Sequence, residues 1–272
     1  MKSFLSASAV LLILTSTLQS LPRKRSPMDA CTQLVIVTTD GWDSPQATLR
    51  RYWRVNIRMP WQEKGGPITV MIGKNGLAWG KGAILVDKQV AQPGDPVKKE
   101  GDGRAPAGVF WLSKVFGYTT QPMPGWKMPY LYLNSSVECV DDTNSKFYNQ
   151  IVDRSTVVPD WNSSEQMLRS DDLYRWGVLV EHNYNRPEAG AGSCIFMHIW
   201  RGPGQPTVGC TAMPQQDLES LIAWLNPRSN PLLVQLPMAE YQKLREGWRW
   251  PKIEEGAAAS TIEGGHKSVG KR

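Results

Sequence analysis

Histidine is scarce in this chain: there are three in 272 residues, at positions 182, 198 and 266. Any chemistry that needs an imidazole must draw on a very short roster, and His266 lies in a polar C-terminal stretch. Cysteine is nearly as rare, with four residues, and none shows the paired Cys/His spacing of a zinc site. Cys139-Val140-Asp141-Asp142 sets one thiol beside two acids, which surface solvation explains, so no metal is expected. After the apolar segment Phe4 to Leu18 there is no second long hydrophobic run, and no internal repeat is visible. The formal charge of +6 is modest, and the basic residues are scattered among Trp, Pro and Gly instead of forming a stripe. Nucleic acid is therefore not an expected partner. A basic exported protein would suit a polyanionic wall, although solubility alone also accounts for the charge.

The chain begins Met1-Lys2 and runs through Phe4 to Leu18 before Leu21-Pro22-Arg23-Lys24-Arg25. A charged start with an apolar middle too short for a comfortable membrane span is the pattern of a secretory signal. Residues 1–20 are expected to be a signal peptide cleaved near Ser20, an uncleaved anchor being the alternative, and 21–33 a linker. Residues 34–250 are then one mainly β domain with a few short helices, a β-sandwich or open barrel. Its strands are expected at 34–39, 68–73, 83–86, 109–112, 130–133, 178–181, 195–200 and 232–236, where β-branched or apolar runs sit between turn residues. Helices are expected at 162–168, which carries Ser/Asn start signals, at 214–225, with Leu218, Leu221, Ile222 and Leu225 at helical spacing, and at 239–247. Residues 251–272 lack apolar periodicity and are expected to be a disordered tail.

The richest stretch is Gly192 to Met213, where Ile195-Phe196-Met197-His198-Ile199-Trp200 leads through Gly202-Pro203-Gly204-Gln205-Pro206 to Thr207-Val208-Gly209-Cys210-Thr211. An apolar strand ending in histidine, followed by a tight Gly/Pro reversal, brings an imidazole and a thiol onto neighbouring segments. A thiol is a good nucleophile only as thiolate, and a nearby imidazole that takes its proton makes it one. Gly209 lets the backbone turn sharply, so the amides of Gly209, Cys210 and Thr211 are expected to form an oxyanion hole. A buried or disulfide-bonded Cys210 and a core His198 are the bland readings.

These residues resemble the catalytic signature of the L,D-transpeptidase family, the YkuD-type domain, as a divergent branch. Val208 stands where that pattern usually has a histidine before Gly-Cys, Ala212 replaces a polar or basic residue, and the loop from His198 to Cys210 is short. Upstream, Gly101-Asp102-Gly103-Arg104-Ala105-Pro106-Ala107-Gly108-Val109-Phe110 is similar to the family's Pro-x-Gly-x-Phe turn. The resemblance implies a YkuD-like fold over most of Leu34 to Leu236. It also implies export to the periplasm or envelope of a bacterium, and a reaction on peptidoglycan stem peptides with no cofactor. In that reaction Cys210, activated by His198, forms a thioester with the stem and passes it to an amine such as a D-amino acid.

Substrate contacts are expected from His182, Arg201, Arg169 and Tyr174, with Arg201 placed to bind a carboxylate. A backbone carbonyl would serve to orient His198, no carboxylate being evident. If Cys210 stays reduced, Cys31, Cys139 and Cys194 remain for bridging, and Cys139 to Cys194 is the expected pair. A monomer is expected. The alternatives are an L,D-carboxypeptidase of the same fold, in which water resolves the thioester, and a non-catalytic wall-binding protein. A papain-like order is disfavoured because His198 precedes Cys210.

Overall fold

A computed structural model of the chain describes residues 26–84 and 90–253. The fold is mainly β. Its strands are β1 (Gln33–Thr39), β2 (Gln46–Trp53), β3 (Gln62–Glu63), β4 (Ile68–Met71), β5 (Leu77–Trp79), β6 (Ala105–Gly117), β7 (Tyr130–Tyr132), β8 (Val137–Val140), β9 (Ile151–Asp153), β10 (Ser164–Gln166), β11 (Trp176–Val180), β12 (Phe196–Ile199), β13 (Thr211–Met213) and β14 (Leu232–Pro237). Two α-helices, α1 (Gln215–Trp224) and α2 (Met238–Trp248), and three short 3-10 turns lie among the described residues. Hydrogen bonding runs β1-β14-β6-β11-β12-β13-β4-β2, and β2 pairs back to β1, so the sheet closes into an eight-stranded barrel. β3, β5 and β7 extend it at the sides. Closure leaves no free edge among those eight strands.

Alternation along the central strands gives this barrel two cores. Val115, Val178 and Met197 belong to the main core, with β1, β14 and both helices. Their chain neighbours Phe116, Leu179 and Phe196 point the other way, into a second core, as the period of two requires. Gly177 lies on that second face, opposite both Phe116 and His198. A Cβ there would lie 2.1 Å from the Phe116 ring, so only glycine lets the aromatic lie flat on the strand. Phe116, Tyr174 and Phe196 then meet edge to face.

A separate three-stranded sheet, β10-β8-β9, covers the second core. It is joined to the barrel by a disulfide between Cys139 in β8 and Cys194 just ahead of β12. Cys31 and Cys210 are free and buried.

Several expectations need correction. Residues 162–168 are not helical: Ser164–Gln166 pairs antiparallel with β8, Ser164 and Gln166 bond the buried carboxylate of Glu138, and the Asn162 amide donates to Asp142. The start signals there serve side-chain contacts far away in sequence. Gly202 to Pro206 is not a hairpin reversal, because β12 and β13 run parallel and the intervening loop is a crossover. Of the strand expected at 83–86, Ile84 forms only an isolated bridge to Val109, and residues 85–86 lie outside the described ones. Residues 26–33 are no linker, since Met28 and Cys31 are core residues and Gln33 opens β1. The signal peptide expected at 1–20 lies outside the described residues.

The boundary of the tail also shifts. Trp250 and Ile253 are buried, and the Tyr241 hydroxyl donates to the Pro251 carbonyl at 2.6 Å. A chain ending at Trp250 would lose the Ile253 burial and leave that hydroxyl unpaired, which should destabilise it by about 2–4 kcal/mol relative to one ending at Ile253. Thermal melts of the two truncations check this, and equal midpoints would return residues 251–253 to the tail.

Candidate active site

Cys210 lies in the turn just ahead of β13, and His198 is the third residue of β12. The register Met197 to Thr211 and His198 to Ala212 sets Cys210 beside Phe196, whose amide donates to Sγ at 3.3 Å. Phe196 and His198 share the face toward the second core, and Ala212, opposite His198, leaves open space beside the ring. The turn is built by Thr207. Its backbone continues the β4 edge, donating to Ile72 O at 2.9 Å and accepting from the Lys74 amide at 2.8 Å. Its hydroxyl accepts from Gly209 N at 3.0 Å and donates to Cys210 O at 2.6 Å, a Ser/Thr-type turn.

The tautomer of His198 follows from its surroundings. Nδ1 lies 2.7 Å from the carbonyl oxygen of Ile199, and a carbonyl only accepts, so Nδ1 carries the proton and Nε2 is left with its lone pair. The expected carbonyl orienter is thus the next residue in the chain. Tyr174 packs edge-on against the imidazole at 5.1 Å between ring centroids and donates its hydroxyl to Glu165 at 2.7 Å. Arg169 lies over the Tyr174 ring at 5.2 Å and grips Asp171 with two bonds of 2.8 and 2.7 Å.

A cavity of about 580 Å³ opens over these groups. Cys210, His198, Gly209, Tyr174, Arg169 and Arg201 all line it. His182 does not. It is 1 % exposed, accepts the Lys81 amide at Nδ1, meets the Ala191 carbonyl through Nε2 and packs on Phe110, a satisfied core histidine. Thr211 also lies off the cavity, its hydroxyl bonded to Gln235 in the interior. With the Gly209 amide held by Thr207, Cys210 is the nominated oxyanion donor that remains. The two arginines divide: Arg169 is committed to Asp171, whereas Arg201, half-exposed, touches the same acid at 3.3 Å.

Comparison of the chain with family models, curated proteins and solved structures finds no match. The site is therefore read from its own geometry, which holds groups that the sequence did not single out. Glu165 faces the cavity from β10, and Asp141 joins it from the chain following β8. Lys74, Lys98 and Glu100 add mixed charge around the opening. Glu165 fell in a segment expected to be helical, and Asp141 looked like a solvated surface acid, so neither carried a recognisable signal. Among the described residues no group of three or more His, Cys, Asp or Glu is placed to hold a metal ion.

Burial dominates the electrostatics. It pushes the Cys210 thiol up to about 12; the Glu165 charge adds to the shift, and the Phe196 amide, Tyr174 hydroxyl and Lys98 oppose it. Burial also holds His198 down to about 4, against the pull of the Ile199 carbonyl. Near neutral pH the resting pair is thus a neutral thiol and a neutral imidazole, not an ion pair. At rest the thiol donates to the Cys194 carbonyl at 3.6 Å and makes no hydrogen bond to the imidazole.

Alkylation of Cys210 by iodoacetamide should therefore be slow at neutrality and still climb beyond about pH 9, since thiolate is the reacting species. Glu165→Gln, by removing a charge that raises the thiol, should speed modification at fixed pH. Peptide mapping separates Cys210 from Cys31, and a rate plateau below about pH 8 would show a thiolate already stabilised in the resting protein.

Proposed function

We propose that this chain is an exported cysteine acyltransferase of the L,D-transpeptidase type, its barrel a divergent YkuD-like domain acting on peptidoglycan stem peptides. The observation that carries the reading is a thiol immediately ahead of β13 and an imidazole on its parallel partner β12, both lining one cavity, with the bare Nε2 of the imidazole fixed by a backbone carbonyl at Nδ1. In the proposed reaction the Cys210 proton passes to His198 Nε2 as Sγ bonds to the carbonyl carbon of the L-to-D peptide bond. The oxyanion is received by the Cys210 amide. Collapse breaks the C–N bond, His198 returns the proton to the leaving D-amino acid, and a thioester remains. An acceptor amine then gives a proton to His198 as it attacks, and the thiol is released. Arg201, on the rim and only loosely held, is suited to the terminal carboxylate of the stem.

Transfer is favoured over hydrolysis where a bound amine is held close and water is excluded. The roof formed by the small disulfide-linked sheet supports that enclosure. One observation favours the carboxypeptidase reading instead: Val208, beside the nucleophile's turn, is 75 % exposed, which leaves the mouth open at that side.

Cys210→Ala should abolish labelling by a carbapenem and all turnover while leaving the melting temperature nearly unchanged. His198→Ala should lower turnover by about two to four orders of magnitude. Mass spectrometry of tetrapeptide muropeptides incubated with a labelled D-amino acid should find label in the terminal position. Tripeptide alone, at every acceptor concentration, would replace transfer by hydrolysis, and full activity of Cys210→Ala would remove the assignment.

A further inference from the structure

Three of the four cysteines meet in one place. Cys139, Cys194 and Cys210 all belong to the second core, yet only the first two are bonded to each other. The register that sets Cys210 beside Phe196 leaves Cys194 two residues earlier in the same chain segment, and the Cys210 thiol donates to the Cys194 carbonyl at 3.6 Å. Cys194 and Cys210 both line the cavity, whereas Cys139 does not. Of the two bridged residues, Cys194 is thus the one that shares a wall with the free thiol.

Cys194 is also held in an uncommon conformation. Its φ of 55° lies in the left-handed region, which is costly for a residue with a side chain. It is kept there by the bridge and by Asn149, whose side-chain oxygen accepts the Cys194 amide at 2.9 Å. Chain connectivity favours a different partner. Cys210 is 16 residues from Cys194 and Cys139 is 55 away, so loop closure in the unfolded chain favours the shorter loop about sixfold. The bridge to Cys139 is selected by the folded sheets and not by proximity in sequence.

We infer that Cys139, Cys194 and Cys210 form a thiol-disulfide exchange site that switches the nucleophile on and off. The Cys210 thiolate attacks the Cys194 sulfur, a bond between those two sulfurs forms, the bond to Cys139 breaks, and Cys139 takes up the proton that Cys210 gave away. No electrons leave the chain, so no oxidant is consumed. In the resulting latent isomer the nucleophile is masked and the small sheet loses its covalent link to the barrel; the reverse exchange restores both. The inference rests on the placement of the sulfurs and not on acyl transfer, and none of its readouts is turnover.

The full-length Cys139→Ser variant, folded and then treated with oxidised glutathione, tests it. Cys194 and Cys210 should close into a disulfide, releasing two reduced glutathiones and leaving Cys31 free, as non-reducing peptide mapping reads directly. Modification of Cys210 by iodoacetamide should then fall roughly tenfold or more and return with dithiothreitol, because a bonded sulfur supplies no thiolate. Free thiols at both positions, or a separate glutathione on either, would overturn the inference. Where that variant fails to fold, the unmodified chain decides: reduced, unfolded and returned to a glutathione redox buffer, with aliquots quenched by N-ethylmaleimide, it should show the Cys194 to Cys210 bond before the Cys139 to Cys194 bond. A course in which the Cys194 to Cys210 bond never appears would overturn the inference equally.

Discussion

The site depends on one covalent constraint, the bond between Cys139 and Cys194. It closes a loop of 55 residues, a restriction of the unfolded chain worth about 4 kcal/mol in the loop-entropy account. Its local consequence matters more. Cys139 belongs to the small sheet that brings Glu165 over the cavity, and Cys194 leads directly into the strand that carries His198. Asn149 reinforces the joint: its side chain accepts the Cys194 amide at 2.9 Å and donates to the carbonyls of His182 and Asn183. The core histidine thus takes part in the same joint through its backbone.

Between these two pieces the second core is built around three aromatic rings. Phe116, Phe196 and Tyr174 pack edge to face against the imidazole side of the cavity. That packing gives the thiol and the imidazole fixed neighbours, and by removing water it disfavours the charged form of each. Rigidity and quiescence have the same origin. Lys74, Arg201 and the Asp171-bound Arg169 place positive charge at the periphery, while the buried Lys98, paired with Asp102, is the cation that bears on the sulfur.

The legible part of the fold was what repeats locally. Leu34 to Val37 and Leu232 to Val234 are apolar runs because their strands, parallel to each other, are buried at every position. The spacing of Leu218, Leu221 and Ile222 marked α1 for the same reason, one face being buried. Gln46–Trp53 went unseen: its arginines, Arg50 and Arg51, disguise a strand in which Ala47, Leu49, Tyr52 and Arg50 itself are buried. The polar segment Ser164–Gln166 misled because partners distant in sequence, Glu138 above all, decide its conformation. In the site, Cys210 and His198 could be singled out by the small number of candidates. Glu165 could not, since an acid in a polar stretch becomes distinctive only once a sheet folds it over a cavity. His182 shows the converse, a strand-end residue expected to line the cleft and used by the fold in its interior.

Val208 has a meaning of its own. It projects into solvent two residues ahead of Cys210, with a neighbour on one side fixed by the Thr207 hydroxyl. The turn is shaped by Thr207 and Gly209 and owes nothing to the side chain between them. That position is decoupled from folding: the residue displayed there can be exchanged without disturbing strand register or core. Selection can therefore tune which molecules linger at the mouth independently of the strands beneath.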